Sequence, residues 1–196
     1  MPETFNVLAV SGSLREASVN STFLNALARL KPDNINVLLQ TGLDLLPLFN
    51  PDDETMPVAE VADWRRNLQD ADLVIIASPE YAHGVTGVIK NALDWIVSSG
   101  EFTDKPVSIP NLSPRAGIAH AQLIEIITVM GAQYSASCSP VASLAEPYVI
   151  PGLSAAKLCE QPEINSRLRR LWEVILLTLT SRHATTTRLR RAFSSY

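Results

Sequence analysis

The stretch Phe5-Asn-Val-Leu-Ala-Val-Ser-Gly-Ser-Leu-Arg-Glu-Ala-Ser-Val-Asn-Ser21 decides the fold. Phe5 to Val10 is an apolar run rich in Val and Leu, which reads as a short strand buried on both faces. It gives way at Ser11-Gly12-Ser13 to a helical period, with Val19, Phe23, Ala26, Leu27 and Leu30 on one face. A strand, a small-residue loop and a helix in that order form an anion cradle. The loop turns backbone amides outward, and the helix N-terminus adds free N–H groups and a partial positive charge. Ser11, Ser13, Ser18 and Ser21 add hydroxyls, Asn20 an amide, and Arg15 a fixed cation suited to bidentate phosphate contact. Taken one at a time, Ser18 also reads as a helix cap and the other serines as turn formers. The density of donors in one turn, beside one arginine, argues for an anion site. No Gly-Lys-Ser/Thr follows, and three spaced glycines are absent. A mononucleotide phosphate fits such a loop better than a triphosphate.

Working outward, Ile35–Leu39 reads as the second strand and Leu73–Ala77 as the third. Lys105–Ile109 reads as the fourth, and Tyr134–Cys138 as a weak fifth. Helices are expected over Val58–Gln69, from Val85 through Ile96 up to Gly100, around Ala119–Met130, and from Pro162 along Ile164, Leu168, Leu171, Trp172, Ile175 and Leu179. Thr41–Pro57 is a long proline-containing loop whose Leu45, Leu46, Leu48 and Phe49 suggest packing against the body. Trp64 reads as core or subunit interface, and Trp95 as core or dimer contact.

Strands alternating with helices predict an α/β fold, a doubly wound parallel sheet with helices on both faces. Five strands favour the order 2-1-3-4-5. In that order ligands sit beyond the carboxyl ends of strands one, three and four. Those ends carry Ser11–Ser21, Ser78–Gly87 and Asn111–Gly117. The 196 residues suit one domain over 1–182, followed by a basic tail over 183–196 in which Thr185-Thr186-Thr187 interrupts the helical pattern. A net charge of −4 leaves no footprint for nucleic acid or an anionic membrane. No apolar run reaches membrane length and no signal peptide is recognisable, so a cytoplasmic location is expected. Cys138 and Cys159, and the three histidines His83, His120 and His183, lack metal spacing, so no metal is expected. The nucleophile-elbow pattern is also absent.

The second loop and following helix read Ser78-Pro-Glu-Tyr-Ala-His-Gly-Val-Thr-Gly-Val-Ile-Lys-Asn-Ala-Leu-Asp-Trp95. With Gly12-Ser-Leu-Arg-Glu-Ala-Ser-Val-Asn20, the segments Pro79-Glu-Tyr and Gly87-Val-Ile-Lys-Asn-Ala-Leu-Asp-Trp95 resemble the NAD(P)H-dependent FMN reductases of flavodoxin-like fold. That family includes quinone, chromate and azo-dye reductases. The resemblance covers roughly residues 5 to 135. It implies FMN held with its phosphate on Ser13, Arg15, Ser18, Asn20 and Ser21, with Ser11 also counted among the cofactor-binding residues. The isoalloxazine and ribityl chain would lie along Pro79, Glu80, Tyr81, His83, Gly84 and Gly87. Lys90, Asn91 and Asp94 read instead as structural.

Two positions depart from the family pattern. Thr86 stands where a proline is common, and the third loop, Asn111-Leu-Ser-Pro-Arg-Ala-Gly117, lacks the usual paired glycines. Ser113 there is a candidate for the flavin edge. Arg115 reads as a contact to flavin, to nicotinamide phosphate or to another subunit, or as a structural salt bridge. His83 reads either as a flavin contact or as a turn residue bonded to backbone. The resemblance implies an oxidoreductase in which NAD(P)H passes electrons through bound FMN to a small acceptor such as a quinone, azo compound, chromate or free flavin. Donor and acceptor would alternate in ping-pong fashion, with no catalytic side chain required. It also implies a homodimer or homotetramer, with Thr41–Pro57, Trp64, the Trp95 helix and Ser139–Ser154 as candidate interfaces. The competing reading is a non-enzymatic FMN electron carrier or redox sensor. Carriers of this fold are usually far more acidic.

Overall fold

Leu73–Ala77 is buried along its whole length, and the sheet is built outward from it. The computed structural model describes residues 3–141 and 152–193, with side chains described through residue 185. Five parallel strands, β1 (Phe5–Ser11), β2 (Ile35–Leu39), β3 (Leu73–Ala77), β6 (Pro106–Ser108) and β7 (Gln133–Tyr134), lie in the order β2-β1-β3-β6-β7. Counting only sheet strands, this is the expected 2-1-3-4-5 arrangement of a flavodoxin-like doubly wound fold. Val7 pairs with Leu73, and Phe5 with Ile35. Two further strands, β4 (Glu80–Tyr81) and β5 (Gly84–Val85), form a separate antiparallel hairpin.

Side chains alternate across a strand, and the two central strands serve two cores. Phe5, Val7 and Ala9 of β1, with Leu73, Ile75 and Ala77 of β3, face one apolar cluster. That cluster also holds Phe23 and Leu27 of α1 (Val19–Arg29), Leu158 of α5 (Ala155–Glu160), and Leu168, Trp172 and Ile175 of α6 (Pro162–Phe193). Leu8, Val10, Val74 and Ile76 face the opposite cluster, with α2 (Ala59–Asp70), α3 (Gly87–Asp94) and α4 (Gly117–Val129). The three tryptophans are fully buried, and each indole N–H finds a carbonyl. Trp64 donates to Ala92 at 2.8 Å, Trp95 to Pro47 at 2.8 Å and Trp172 to Leu27 at 2.9 Å. A buried indole needs such a partner, so these bonds join layers as well as fill them. Trp64 and Trp95 are therefore core residues of the single chain.

Several expectations are corrected. The helix after the second loop begins at Gly87 and ends at Asp94, and Val85 belongs to a strand. The fifth strand is only Gln133–Tyr134, followed by a 3-10 turn at Ala136–Cys138. In the Thr41–Pro57 loop Leu43 and Leu46 are buried, whereas Leu45 and Leu48 face solvent. Phe49 packs edge-on against Trp95, with ring centroids 5.2 Å apart. Asn91 anchors this loop by accepting from the Phe49 amide at 2.8 Å and donating to the Pro47 carbonyl at 2.9 Å. Helix α6 runs unbroken through Thr185-Thr186-Thr187, since a threonine triplet lowers helix propensity only slightly per residue. Of the proposed Ser139–Ser154 interface, residues 142–151 lie outside those described, as do residues 194–196 of the tail. Among the described residues, no helix is long and apolar enough to cross a membrane.

Candidate active site

Three loops leave the carboxyl ends of β1, β3 and β6 and enclose one cleft of about 550 Å³. The first is held by its own hydroxyls. Ser11 and Ser21 share a hydrogen bond of 2.8 Å across the loop, and the Ser13 amide donates to Ser11 Oγ at 3.3 Å. Ser18 caps α1 by accepting from the Ser21 amide at 3.2 Å. The other amides of that first turn have no intrahelical acceptor, and Val19 and Asn20 line the cleft. Gly12 marks where this loop meets the next. A Cβ there would lie 2.3 Å from Ser78 Oγ and 2.8 Å from Ile89 Cγ1. Its amide also donates to the Ala77 carbonyl at 2.8 Å. Only glycine fits so close an approach of two strand ends.

The second loop is the β4–β5 hairpin, whose pairs are Glu80 with Val85 and Tyr81 with Gly84. The two turn residues, Ala82 and His83, have φ of 50° and 59°. Two successive left-handed residues are what a two-residue hairpin requires, though asparagine and glycine supply them at lower cost. Glu80 is engaged by the protein at both oxygens. Oε1 meets His83 Nδ1 at 3.0 Å, and Oε2 accepts from the Ala119 amide in the first turn of α4 at 2.8 Å. The Ala119 amide holds this carboxyl below the usual carboxylate range. Burial opposes the shift and the His83 pairing adds to it. Gln122 of α4 completes the attachment, accepting from the Val85 amide at 3.3 Å.

The third loop is organised by Asn111, which is buried. Its side chain donates to the Ala116 carbonyl at 3.2 Å and accepts from the Ser113 amide at 3.0 Å. Ser113 in turn accepts from the Arg115 amide at 3.3 Å.

Ten of the expected site residues line the common cleft: Ser13, Arg15, Ser18, Asn20, Pro79, Glu80, Tyr81, His83, Ser113 and Arg115. Four do not. Ser11 and Ser21 bond each other beneath the loop, and Gly84 is paired with Tyr81 in the hairpin. Gly87 opens α3 and lines a neighbouring hollow with Gly12, Leu14 and Thr86. Neither Arg115 nor Arg15 forms an ion pair among the described residues. His83 is a turn residue, but its bond is to Glu80 Oε1. Sequence reasoning passed over Ser78, Ala17, Val19, Ala82, Leu112 and Ala116 as lining residues, and Asn111 and Gln122 as their supports. Asn111 carried a readable signal, an Asx residue in a proline-bounded turn. Gln122 carried none.

The donor set suits a flavin mononucleotide. One end of the cleft has hydroxyls, a helix N-terminus and Arg15, as a phosphate needs. The rest offers flatter surface from Pro79, Tyr81 and Leu112. The carboxylate in the cleft is engaged by the Ala119 amide and His83, and neither arginine pairs with an acid among the described residues.

The chain is 35% identical over 126 residues to an NAD(P)H-dependent FMN reductase of Pseudomonas aeruginosa, spanning 62% of this chain and 68% of that protein. It is 32% identical over 118 residues to a quinone reductase of Escherichia coli, spanning 58% of this chain and 62% of that one. A third relative is the NADH:(hydroxy)cinnamate reductase subunit CrdA of Vibrio ruber, 38% identical over 119 residues and matched over 60% of this chain and 58% of its own length. Among solved structures, the flavoenzyme NAD(P)H:(acceptor) oxidoreductase FerB of Paracoccus denitrificans superposes with a TM-score of 0.70 at 23% identity, covering 88% of this chain and 97% of that one. Residues 5–146 match the family described as NADPH-dependent FMN reductase. The chain therefore belongs to that family of oxidoreductases, which work with FMN and take electrons from NAD(P)H.

Proposed function

We propose that the cleft binds FMN and that the protein passes electrons from NAD(P)H to a small acceptor, a quinone or a related oxidant. The observation that carries the reading is the convergence of three strand-end loops on one cleft whose phosphate-like end and flat end match the two ends of FMN. Ser13, Ser18, Asn20 and Arg15 would hold the phosphate. Pro79 and Tyr81 would line one side of the ring, with Ser113 and Arg115 on the facing lip. Bound FMN would supply the site that accepts hydride and stores its electrons.

The chain's own residues position and charge-balance the ligands. No side chain is needed as acid or base for hydride transfer. Arg15 and Arg115 offset the negative charge of a phosphorylated cofactor and donor. Donor and acceptor would occupy the same open side in turn, giving ping-pong kinetics. A homodimer or homotetramer is part of the proposal, and sedimentation velocity at micromolar concentration reads it. So is a domain boundary near residue 182, supported by Leu179 being the last residue of α6 in the core cluster among the described residues. Truncation after Arg182 should leave FMN binding intact.

The test is an absorbance spectrum of the purified protein reconstituted with FMN, followed by NADH and NADPH oxidation with a benzoquinone acceptor. Bound flavin with steady turnover is expected. Flavin without turnover would indicate a carrier, and no flavin would remove the reading.

A further inference from the structure

The hairpin that lines one wall of the cleft has little to hold it by itself. It has two residue pairs and two turn residues in the left-handed region. A two-stranded hairpin of this length is not stable alone in water. Among the described residues its side-chain hydrogen bonds to other elements run to α4, the helix that follows the third loop of the cleft. Glu80 Oε2 receives the Ala119 amide, and Gln122 receives the Val85 amide. Gln122 Nε2 also lies 3.5 Å from the His83 carbonyl. Ala116, Arg115 and Ser113, just before α4, line the same cleft as Tyr81 and Ala82. The Glu80 side chain is only 9% exposed although it sits at the lip of an open cleft. Helix α4 has no side-chain cap of its own from the preceding residue, Ala116. Glu80 provides the missing acceptor from another element, and a carboxylate at a helix N-terminus is favoured by the helix dipole.

We propose that Glu80 is a positioning residue, whose carboxylate pins the hairpin to the first turn of α4 and so sets the spacing between the two walls that grip the flat part of the cofactor. This rests on the reading of the cleft as a flavin site. The hydrogen bonds of the pin involve neither Arg15 nor the serines of the first loop. Its loss should therefore weaken ligands with and without a phosphate equally.

The experiment uses the full chain, with FMN and riboflavin as separate probes titrated by fluorescence quenching. Amide hydrogen exchange is measured on the flavin-free protein. Glu80→Ala should weaken both flavins by the same factor, about tenfold, as expected for loss of one charge-assisted hydrogen bond. It should also alter the visible circular dichroism of bound flavin and speed exchange at residues 81–85 and 117–119. Glu80→Gln still offers an oxygen to the Ala119 amide and should stay within about threefold of the parent. Gln122→Ala strikes the same clamp from the helix side, and should speed exchange in the hairpin even if Glu80→Ala folds poorly. Loss of FMN affinity with riboflavin unchanged would overturn the proposal, as would unchanged exchange in both alanine variants. A Gln variant as impaired as the Ala variant would also overturn it, by making charge toward the ligand the cause. If no form binds either flavin but exchange rises as described, the pin stands and the flavin reading falls.

Discussion

The β1–α1 loop and the β4–β5 hairpin form two ends of one cleft, and they are held by different physics. The first loop is local. Its side-chain hydrogen bonds join residues at most ten positions apart: Ser11 to Ser21, Ser13 to Ser11, and Ser21 to Ser18. The hairpin is held by residues nearly forty positions away, Ala119 and Gln122 on α4, and its turn sits in sparsely populated backbone space. A loop closed by its own hydroxyls is largely preorganised by nearby sequence. A hairpin tethered from afar takes its position from the helix that holds it. The phosphate end therefore supplies a fixed anchor, and the ring end supplies a wall that can be loosened independently.

The two regions touch at Gly12 and Ser78, and the largest expected effect strikes there. Gly12→Ala places a methyl group 2.3 Å from Ser78 Oγ, with Ile89 at 2.8 Å behind it. Overpacking of this kind costs about 1–3 kcal/mol. Denaturant unfolding should show that loss, together with weakened binding of both flavins. An unchanged midpoint would mean that the loops do not share a boundary.

Within the first loop, Ser21→Ala removes the shortest hydrogen bond of the partly buried Ser11 hydroxyl and leaves it the longer contacts to the Ser13 backbone. The expected loss is about 1 kcal/mol in stability. FMN affinity should fall more than riboflavin affinity, because the loop closes around the phosphate. In the hairpin, Ala82→Gly relieves a left-handed alanine. That relief is worth up to about 1 kcal/mol, partly offset by the freer unfolded chain. A small gain in stability is expected. A loss comparable to that in Ser21→Ala would show that the turn is unstrained.

The smallest expected effect is a dependence on pH. The Glu80 carboxyl titrates below its ordinary value of 4.5 in the folded chain, chiefly through the Ala119 amide and with help from His83. Its contribution is then fully present above 4.5 and is lost as pH falls below that value through the lowered one. The other charged groups lining the cleft are Arg15, Arg115 and, when protonated, His83. Amide exchange in residues 81–85, corrected for its intrinsic pH dependence, should therefore rise below about pH 4.5. The step should be missing in Glu80→Gln. The same step in both proteins would assign it to another group.

The same contrast explains what was legible in the sequence. Strands β1, β2 and β3 follow from short apolar runs, and the apolar face of α6 from 3.6-residue spacing, because those patterns are local. The order of the sheet follows from the alternation of elements. The donors of the first loop could be named because they are neighbours in the chain. The hairpin was not legible, since Ala82-His83 lacks the Asn-Gly signal of a two-residue turn, and Val85 fits the period of the following helix. Leu45 and Leu48 have the composition of core residues but lie on the outer side of a loop whose inner side Leu43 and Leu46 already occupy. Gln122 is an ordinary helix residue until β5 is laid beside it.

Arg15 tests the central claim most directly, that the β1–α1 loop is the phosphate end of a flavin site. It is exposed, lines the cleft and is without an acidic partner among the described residues. Arg15→Ala should weaken FMN by about tenfold to a hundredfold, the equivalent of about 1.5–3 kcal/mol for a hydrogen bond to a charged group. Riboflavin, which has no phosphate, should bind almost as before, and stability without ligand should not change. Parallel titration of both flavins against parent and variant gives the answer. FMN affinity that falls alone supports the assignment, whereas equal effects on the two flavins, or none on either, would contradict it.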